Sequence, residues 1–151
     1  MAHLEVKRFM EVPPGDVWRV LADLEHQGRW MVDVRTIEVV TAQNVGAGTV
    51  LRVTSELFGL PVVRDVMEVT AWQRPSRMEV VHRGQFSGTG SFVLEPIAGG
   101  TLFTWTEDFR SPLRFVGEAA FSLFVRPHLR RVFARSVANL GLLAEAAHSG
   151  C

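Results

Sequence analysis

The last third of the chain, residues 111–147, has the spacing of a long helix. Its apolar positions recur every three or four residues, and arginines and an asparagine fall between them. The apolar stripe consists of Leu129, Phe133, Val137, Leu140 and Ala144. Ser111 and Pro112 suit the start of the helix, while Pro127 is expected to kink or break it. We therefore expect a nearly all-apolar first part, residues 112–125, followed by an amphipathic part that packs on another surface.

The segments before this helix alternate mainly with the period of strands. Residues 4–12 predict a first strand, residues 16–24 a helix, and residues 25–30 a second short helix or a turn. Further strands are predicted over residues 36–41, 49–57, 62–72, 77–86, 90–95 and 101–109. Strands joined by such short turns pair with their neighbours. The order predicts an α+β domain whose antiparallel meander packs against the C-terminal helix.

Composition narrows the function classes. The chain has 151 residues, 47% of them hydrophobic, and this favours one globular domain over residues 1–151. Its formal net charge of +0 gives no reason to expect nucleic acid as a partner. Charged residues near the N-terminus and the lack of a long apolar run argue against a signal peptide and against stable membrane insertion. Cys151 is the only cysteine, and a cytoplasmic location is the default expectation. No motif indicates a metal or a cofactor.

Several short motifs, together with the order of elements, resemble the START-like helix-grip (SRPBCC) superfamily, and within it the polyketide cyclase/dehydrase-type proteins. The motifs are Val12-Pro13-Pro14-Gly15-Asp16-Val17-Trp18, Leu21-Ala22-Asp23-Leu24-Glu25, Trp30, Val45-Gly46-Ala47-Gly48-Thr49, Pro75-Ser76-Arg77-Met78 and Gly99-Gly100-Thr101-Leu102-Phe103-Thr104-Trp105. The resemblance implies a curved antiparallel sheet wrapped around the C-terminal helix, two short helices after the first strand, and an apolar cavity between sheet and helix. Members include aromatase/cyclases and carriers of sterols, lipids or quinones, so fold alone does not choose among these activities.

Three ionisable residues are candidates for a site in that cavity. Glu107 lies on the aromatic face of its strand, where burial would raise its pKa into the range of a general acid or base. The alternatives for Glu107 are an ion pair with an arginine such as Arg64 or Arg83, or an exposed position. His82 shares a face with apolar residues and is either a proton shuttle or a hydrogen-bonded core histidine. Asp65 lies on a strand whose two faces are almost equally apolar, so its direction stays open.

Aromatic residues are the candidates for the apolar lining. They are Trp30, Phe58, Phe86, Phe103, Trp105, Phe109, Phe115 and Phe121. Phe58 lies at a hairpin tip, where it either gates entry of a ligand or packs against a neighbouring loop. The apolar segment before Pro127 is interpreted as a lid or as a subunit contact.

These observations favour a protein that binds a hydrophobic small molecule, such as a polyketide, a lipid or a quinone-like compound. One alternative is a cofactor-independent polyketide cyclase or dehydrase that uses Glu107 and His82, with Asp65 as a weaker third candidate. The other is an interaction or subunit module, with a homodimer as one form, in which the cavity is vestigial. The basic residues on the outer helix face are interpreted as solvated, because no aromatic residues alternate with them.

Overall fold

The computed structural model describes residues 2–85, 87–110 and 117–150. Its strands are β1 (Ala2–Met10), β2 (Val34–Val39), β3 (Val50–Leu57), β4 (Leu60–Gln73), β5 (Arg77–Arg83), β6 (Ser87–Ile97) and β7 (Gly100–Arg110). Its helices are α1 (Pro14–Leu21), a 3-10 helix (Leu24–Arg29), α2 (Gly117–Ala120), a π-helical turn (Phe121–Val125) and α3 (Arg126–Ser149). The predicted strands and the two short helices after β1 are therefore present, with shifted bounds.

The seven strands form one antiparallel sheet in the order β1-β7-β6-β5-β4-β3-β2. Strands β2 to β7 follow one another as the predicted meander, and β1 joins the edge beside β7, where Ala2 lies opposite Phe109 and Met10 opposite Thr101. The sheet curls into a half-barrel around the long C-terminal helix, which is the helix-grip arrangement.

Alternation along β7 decides which side chains point towards the helix. Residues at odd positions from Thr101 to Phe109 are buried, and those between them are half-buried. Successive side chains of a strand point to opposite faces, so the aromatic residues and Glu107 share the concave face. Strand β5 ends at Arg83, three residues before the predicted end. The backbone N–H of Gly84 donates to the Asp65 carboxylate at this point, 2.9 Å away.

Helix α3 packs on the sheet through the predicted stripe, since Leu129, Phe133, Val137, Leu140 and Ala144 are all buried. The helical irregularity expected at Pro127 is a π-helical turn that ends at Val125, and Pro127 occupies the first turn of α3. Helical backbone runs from Gly117 through Pro127 without a break, and the π-helical turn directly before α3 accommodates the missing N–H of the proline. Ser111 and Pro112, predicted to start the helix, lie outside the described residues.

The interior is filled at one end of the sheet and hollow at the other. The second half of α3 contacts β1 and α1, and Phe103, Leu94 and Met10 are fully buried there. Beside Leu129, in the first turns of α3, a cavity opens between the helix and the β7 residues Trp105 and Phe109. The space in the part of the interior that contains the cavity is available for a ligand.

Candidate functional site

The cavity has a volume of about 130 Å³ and lies between the sheet, α3 and the segment that follows α1. Its walls are mainly apolar. They include Leu24, Met31, Val34, Leu51, Val53, Leu57, Val63, Met67, Val80, Phe92, Trp105, Phe109, Leu129 and Phe133. The ring of Phe133 stacks on Trp105 with 4.2 Å between centroids. A water molecule occupies roughly 10–15 Å³ on this measure, so the space is larger than a few waters require.

Three ionisable side chains from three strands meet on the cavity wall. His82 Nδ1 lies 2.5 Å from Asp65 Oδ2, and His82 Nε2 lies 2.9 Å from Glu107 Oε2. Trp105 Nε1 donates to Glu107 Oε1 at 2.8 Å. The second oxygen of Asp65 accepts the Gly84 N–H. Each carboxylate oxygen of this cluster therefore accepts a hydrogen bond, which compensates for its burial.

A glycine on β6 allows Glu107 and His82 to meet. Strand β6 lies between β5 and β7, and it places Gly88 opposite His82 and Gly90 opposite Glu107. A Cβ atom on Gly90 would lie 2.6 Å from Glu107 Oε1, too close for any real contact. The absence of a side chain at Gly90 leaves the space in which the Glu107 carboxylate reaches the imidazole across β6, and Gly88 packs closely on the β7 backbone, where a Cβ atom would overlap the Asp108 carbonyl oxygen. The sequence alone gave no sign of this role, because it does not show which residues of neighbouring strands lie opposite the glycines.

His82 is a cation at neutral pH. Burial by itself would lower its pKa, but the hydrogen bonds to Asp65 and Glu107, together with the charges of these carboxylates, outweigh burial and raise the pKa to about 10. The ring then donates from both nitrogens and has no lone pair left with which to accept a proton. It holds two carboxylates in place and is not a general base at neutral pH.

Asp33 also lines the cavity, and sequence reasoning missed it. Burial raises the pKa of its carboxyl group to about 6, the backbone N–H of Asp33 itself opposes this rise, and the charges of Glu107 and Glu56 add to it. A carboxyl group that titrates near neutrality can donate and accept protons at physiological pH. Asp33 precedes β2 in a segment without periodicity, so its direction carried no signal in the sequence.

The structure divides the predicted site residues into three groups. Asp65, His82, Trp105, Glu107 and Phe109 line the cavity, and the open question about Asp65 is resolved towards the inside. The suggested arginine partner of Glu107 is wrong, because the partner is His82, while Arg83 pairs with Glu68. The predicted contributions of Phe86, Phe115 and the Phe121 side chain lie outside the described part of the chain.

Three aromatic residues predicted to line the cavity lie elsewhere. Trp30 is fully buried behind the wall, where it packs edge-on against Phe92 and Trp105. Phe103 lies in the filled half of the core. Phe58 is exposed at the β3–β4 hairpin tip and stacks on His128 with 4.3 Å between centroids. Alternation finds which side of a strand a residue occupies, but it does not find how far along the strand the cavity extends.

Within the described residues, no helix is both long and apolar enough to span a bilayer, and no cluster of His, Cys, Asp and Glu has the geometry of a metal site.

A curled antiparallel sheet that grips a C-terminal helix around an apolar cavity defines a helix-grip protein of the START-like (SRPBCC) superfamily. The profile of the family described as polyketide cyclase/dehydrase and lipid transport matches residues 1–145. The chain belongs to that family. A search among curated protein sequences finds no match.

Solved structures share the fold at low sequence identity. The protein TTHA0849 from Thermus thermophilus aligns with a TM-score of 0.83 and 23% identity, over 97% of this chain and 99% of that chain. The Zhui aromatase/cyclase from a Streptomyces species aligns with a TM-score of 0.71 and 19% identity, over 97% and 93% of the two chains. A START superfamily protein from Mycobacterium smegmatis aligns with a TM-score of 0.69 and 13% identity, over 96% and 95%. These similarities concern the fold alone.

Proposed function

We propose that this protein binds a hydrophobic small molecule in the cavity between the sheet and α3. The observation that carries the proposal is an apolar cavity of about 130 Å³ with a fixed cluster of acidic groups and one imidazolium on its wall. Ligand pockets combine apolar walls, which provide affinity, with a few polar groups, which fix orientation. The family profile supports the same class of ligand.

The cavity volume indicates the size of the ligand, or of the part of it that is enclosed. An engineered apolar cavity of about 150 Å³ binds benzene, so a space of similar size accepts roughly one ring.

The test combines native mass spectrometry of freshly purified protein with titration by toluene, followed through the indole N–H signal of Trp105 in NMR spectra. Ser55 lines the cavity, so Ser55→Phe should fill it and abolish both the co-purified mass and the toluene response. Thr54→Phe is the matched control, since Thr54 is the neighbouring residue on the opposite face of β3. Equal toluene binding by the wild type and Ser55→Phe, or no binding by any of the three proteins, would contradict the proposal.

A second candidate function is cyclisation or dehydration of a polyketone, and the titration of Asp33 near neutrality favours it. Its carboxylate would remove the proton from a carbon between two carbonyl groups. The resulting carbanion would then attack the carbon of another carbonyl group farther along the chain. The protonated Asp33 would then return that proton to the new alkoxide, so that no net proton is consumed before water leaves. The charge of Glu107 would help to raise the pKa of Asp33, and His82 would hold Glu107 in place. His82 would therefore not act as the proton shuttle that the sequence suggested.

The corresponding assay follows conversion of a linear β-polyketone thioester to its cyclic product by liquid chromatography. The rate should rise with pH through about 6, where Asp33 ionises, and Asp33→Asn should remove this rise. Asp108→Asn is the control, because Asp108 follows Glu107 on the outer face of β7 and pairs with His3. A rate that Asp33→Asn leaves unchanged would exclude Asp33 as the base.

A further inference from the structure

The charged side chains on the cavity wall are strongly unbalanced. Among the described residues, the lining contains four carboxyl groups and one imidazole, but no lysine or arginine. The carboxyl groups belong to Asp33, Glu56, Asp65 and Glu107, and the imidazole to His82. Glu56 is paired with Arg35 outside the cavity, and His82 offsets one further charge. The polar part of the wall is therefore negative even before Asp33 ionises, and the ionisation of Asp33 adds a further negative charge.

Among the described lining residues, most hydrogen-bond-donating side chains are already engaged, and the Ser55 hydroxyl is the exception. His82 donates to both carboxylates of its cluster, and Trp105 Nε1 donates to Glu107. The side-chain amide nitrogen of Gln27 donates to the backbone carbonyl of Leu21 at 3.3 Å. Acceptors remain in excess, because a carboxylate oxygen carries two lone pairs and the cluster uses one per oxygen.

Asp33 is the acceptor that is least satisfied. Among the described residues, no other residue donates a hydrogen bond to its carboxyl group, while its neighbours Glu107 and Glu56 carry the same charge. A buried carboxylate without a cation is costly unless a donor reaches it. A ligand that supplies a donor would relieve this cost, whereas a ligand that supplies another anion would increase it.

We propose that the cavity selects a compact ring compound whose polar end donates a hydrogen bond to Asp33, as a hydroxyl group or a protonated amine does, and that it rejects carboxylates and phosphates. This inference rests on the proposed ligand-binding function and adds the chemical class of the ligand. Apolar contact with Trp105, Phe109 and Phe133 holds the ring, and the acidic wall determines which polar group enters with it.

Four probes of nearly equal size test the inference: toluene, phenol, benzylamine and benzoate. Each is titrated into the wild-type protein at pH 7.5, and the Trp105 indole N–H signal gives the dissociation constant. A hydrogen bond to a charged group corresponds to an affinity gain of about tenfold or more. Phenol and benzylamine should therefore bind at least about tenfold more tightly than toluene, and benzoate should bind more weakly than toluene.

Variants and pH then separate charge from hydrogen bonding. Asp33→Asn should remove most of the advantage of benzylamine, while Asp108→Asn, which deletes an outer carboxylate, should retain it. Below pH 6 the protonation of Asp33 should weaken benzylamine more than phenol, because only the amine depends on the negative charge. A similar loss for both probes would assign the preference to hydrogen bonding by the acid itself and would overturn the role of its charge.

The failures of the two proposals are distinguishable. If none of the four probes binds, the proposed function fails and the inference fails with it. If toluene binds and benzoate binds equally well or better, ligand binding stands and donor selection is overturned. The ranking of the probes on the wild-type protein requires no variant, so misfolding of Asp33→Asn would not prevent a decision.

Discussion

Replacing Asp33 by asparagine should stabilise the protein at neutral pH, although Asp33 lies in the candidate site. Burial favours the protonated form of the Asp33 carboxyl group and raises its pKa from 3.8 to about 6. An acid whose pKa is higher in the folded state lowers stability as pH rises between the unfolded and the folded value. The cost is absent below about pH 4 and complete above about pH 6. Asparagine has a similar shape and no charge, so the variant avoids this cost.

The magnitude follows from the pKa shift. A shift of about two pKa units corresponds to roughly 3 kcal/mol, since one unit is about 1.4 kcal/mol. For a chain of 151 residues, this is an increase in melting temperature of about 6–12 °C. The value is an upper limit, because solvent near the half-buried carboxyl group screens part of the effect.

Urea denaturation of the wild type and Asp33→Asn at several pH values from 4 to 8, followed by tryptophan fluorescence, measures the difference. The difference in unfolding free energy should be close to zero at pH 4 and should grow to its plateau between pH 6 and 7. Titration of His82 affects both proteins alike and cancels. Asp108→Asn supplies the comparison for removing an outer carboxylate. A difference that does not change with pH would refute the partial burial of the Asp33 carboxylate without a cationic partner among the described residues.

Further predictions concern the cluster around His82. His82→Gln should destabilise the protein by about 3–5 kcal/mol near pH 7, because two buried carboxylates lose their cation, and adding Glu107→Gln should recover part of the loss in a double-mutant cycle. The wild type should keep the stabilisation from His82 below pH 6.5 and lose it progressively as pH rises towards 10, because the pKa of His82 is higher in the folded than in the unfolded state. Denaturation curves in which His82→Gln shows the same alkaline loss would exclude this cause. Gly90→Ala should lower the free energy of unfolding by about 1–3 kcal/mol, because the added methyl group displaces the Glu107 carboxylate. Ser91→Ala, on the other face of β6, should change it little. Equal melting temperatures for these two variants would contradict the role of Gly90.

The hydrophobic pattern predicted an antiparallel meander packed against the C-terminal helix, and the family resemblance implied the curvature of the sheet around that helix. The stripe from Leu129 to Ala144 predicts the packed face of α3, and the alternation along β7 predicts that Glu107 shares a face with Trp105 and Phe109. These predictions succeed because the periods of a helix and a strand determine which face each side chain occupies, whatever lies opposite. The family motifs agree with this arrangement because they mark turns and packing positions.

The site depended on the tertiary structure. Asp65 had two equally apolar faces to choose from, and the pairing of β4 with β5 placed it beside His82. Asp33 lies in a segment without a period, and its raised pKa results from burial and from neighbours on other elements, Glu107 and Glu56. Trp30 was assigned to the cavity by the family resemblance and Phe103 by alternation, but Trp30 lies behind the cavity wall and Phe103 is absent from the lining.

By itself, then, the sequence determined the elements, most of their buried faces and the family, because these follow from local periodicity and short motifs. The tertiary structure decided which charges meet. His82 and Glu107 are separated by a strand on which Gly90 leaves room between them, a relation that no spacing along the chain encodes. Protonation states depend on such non-local distances and on burial, which is why the imidazolium at position 82 and the titrating acid at position 33 emerged only from the folded chain.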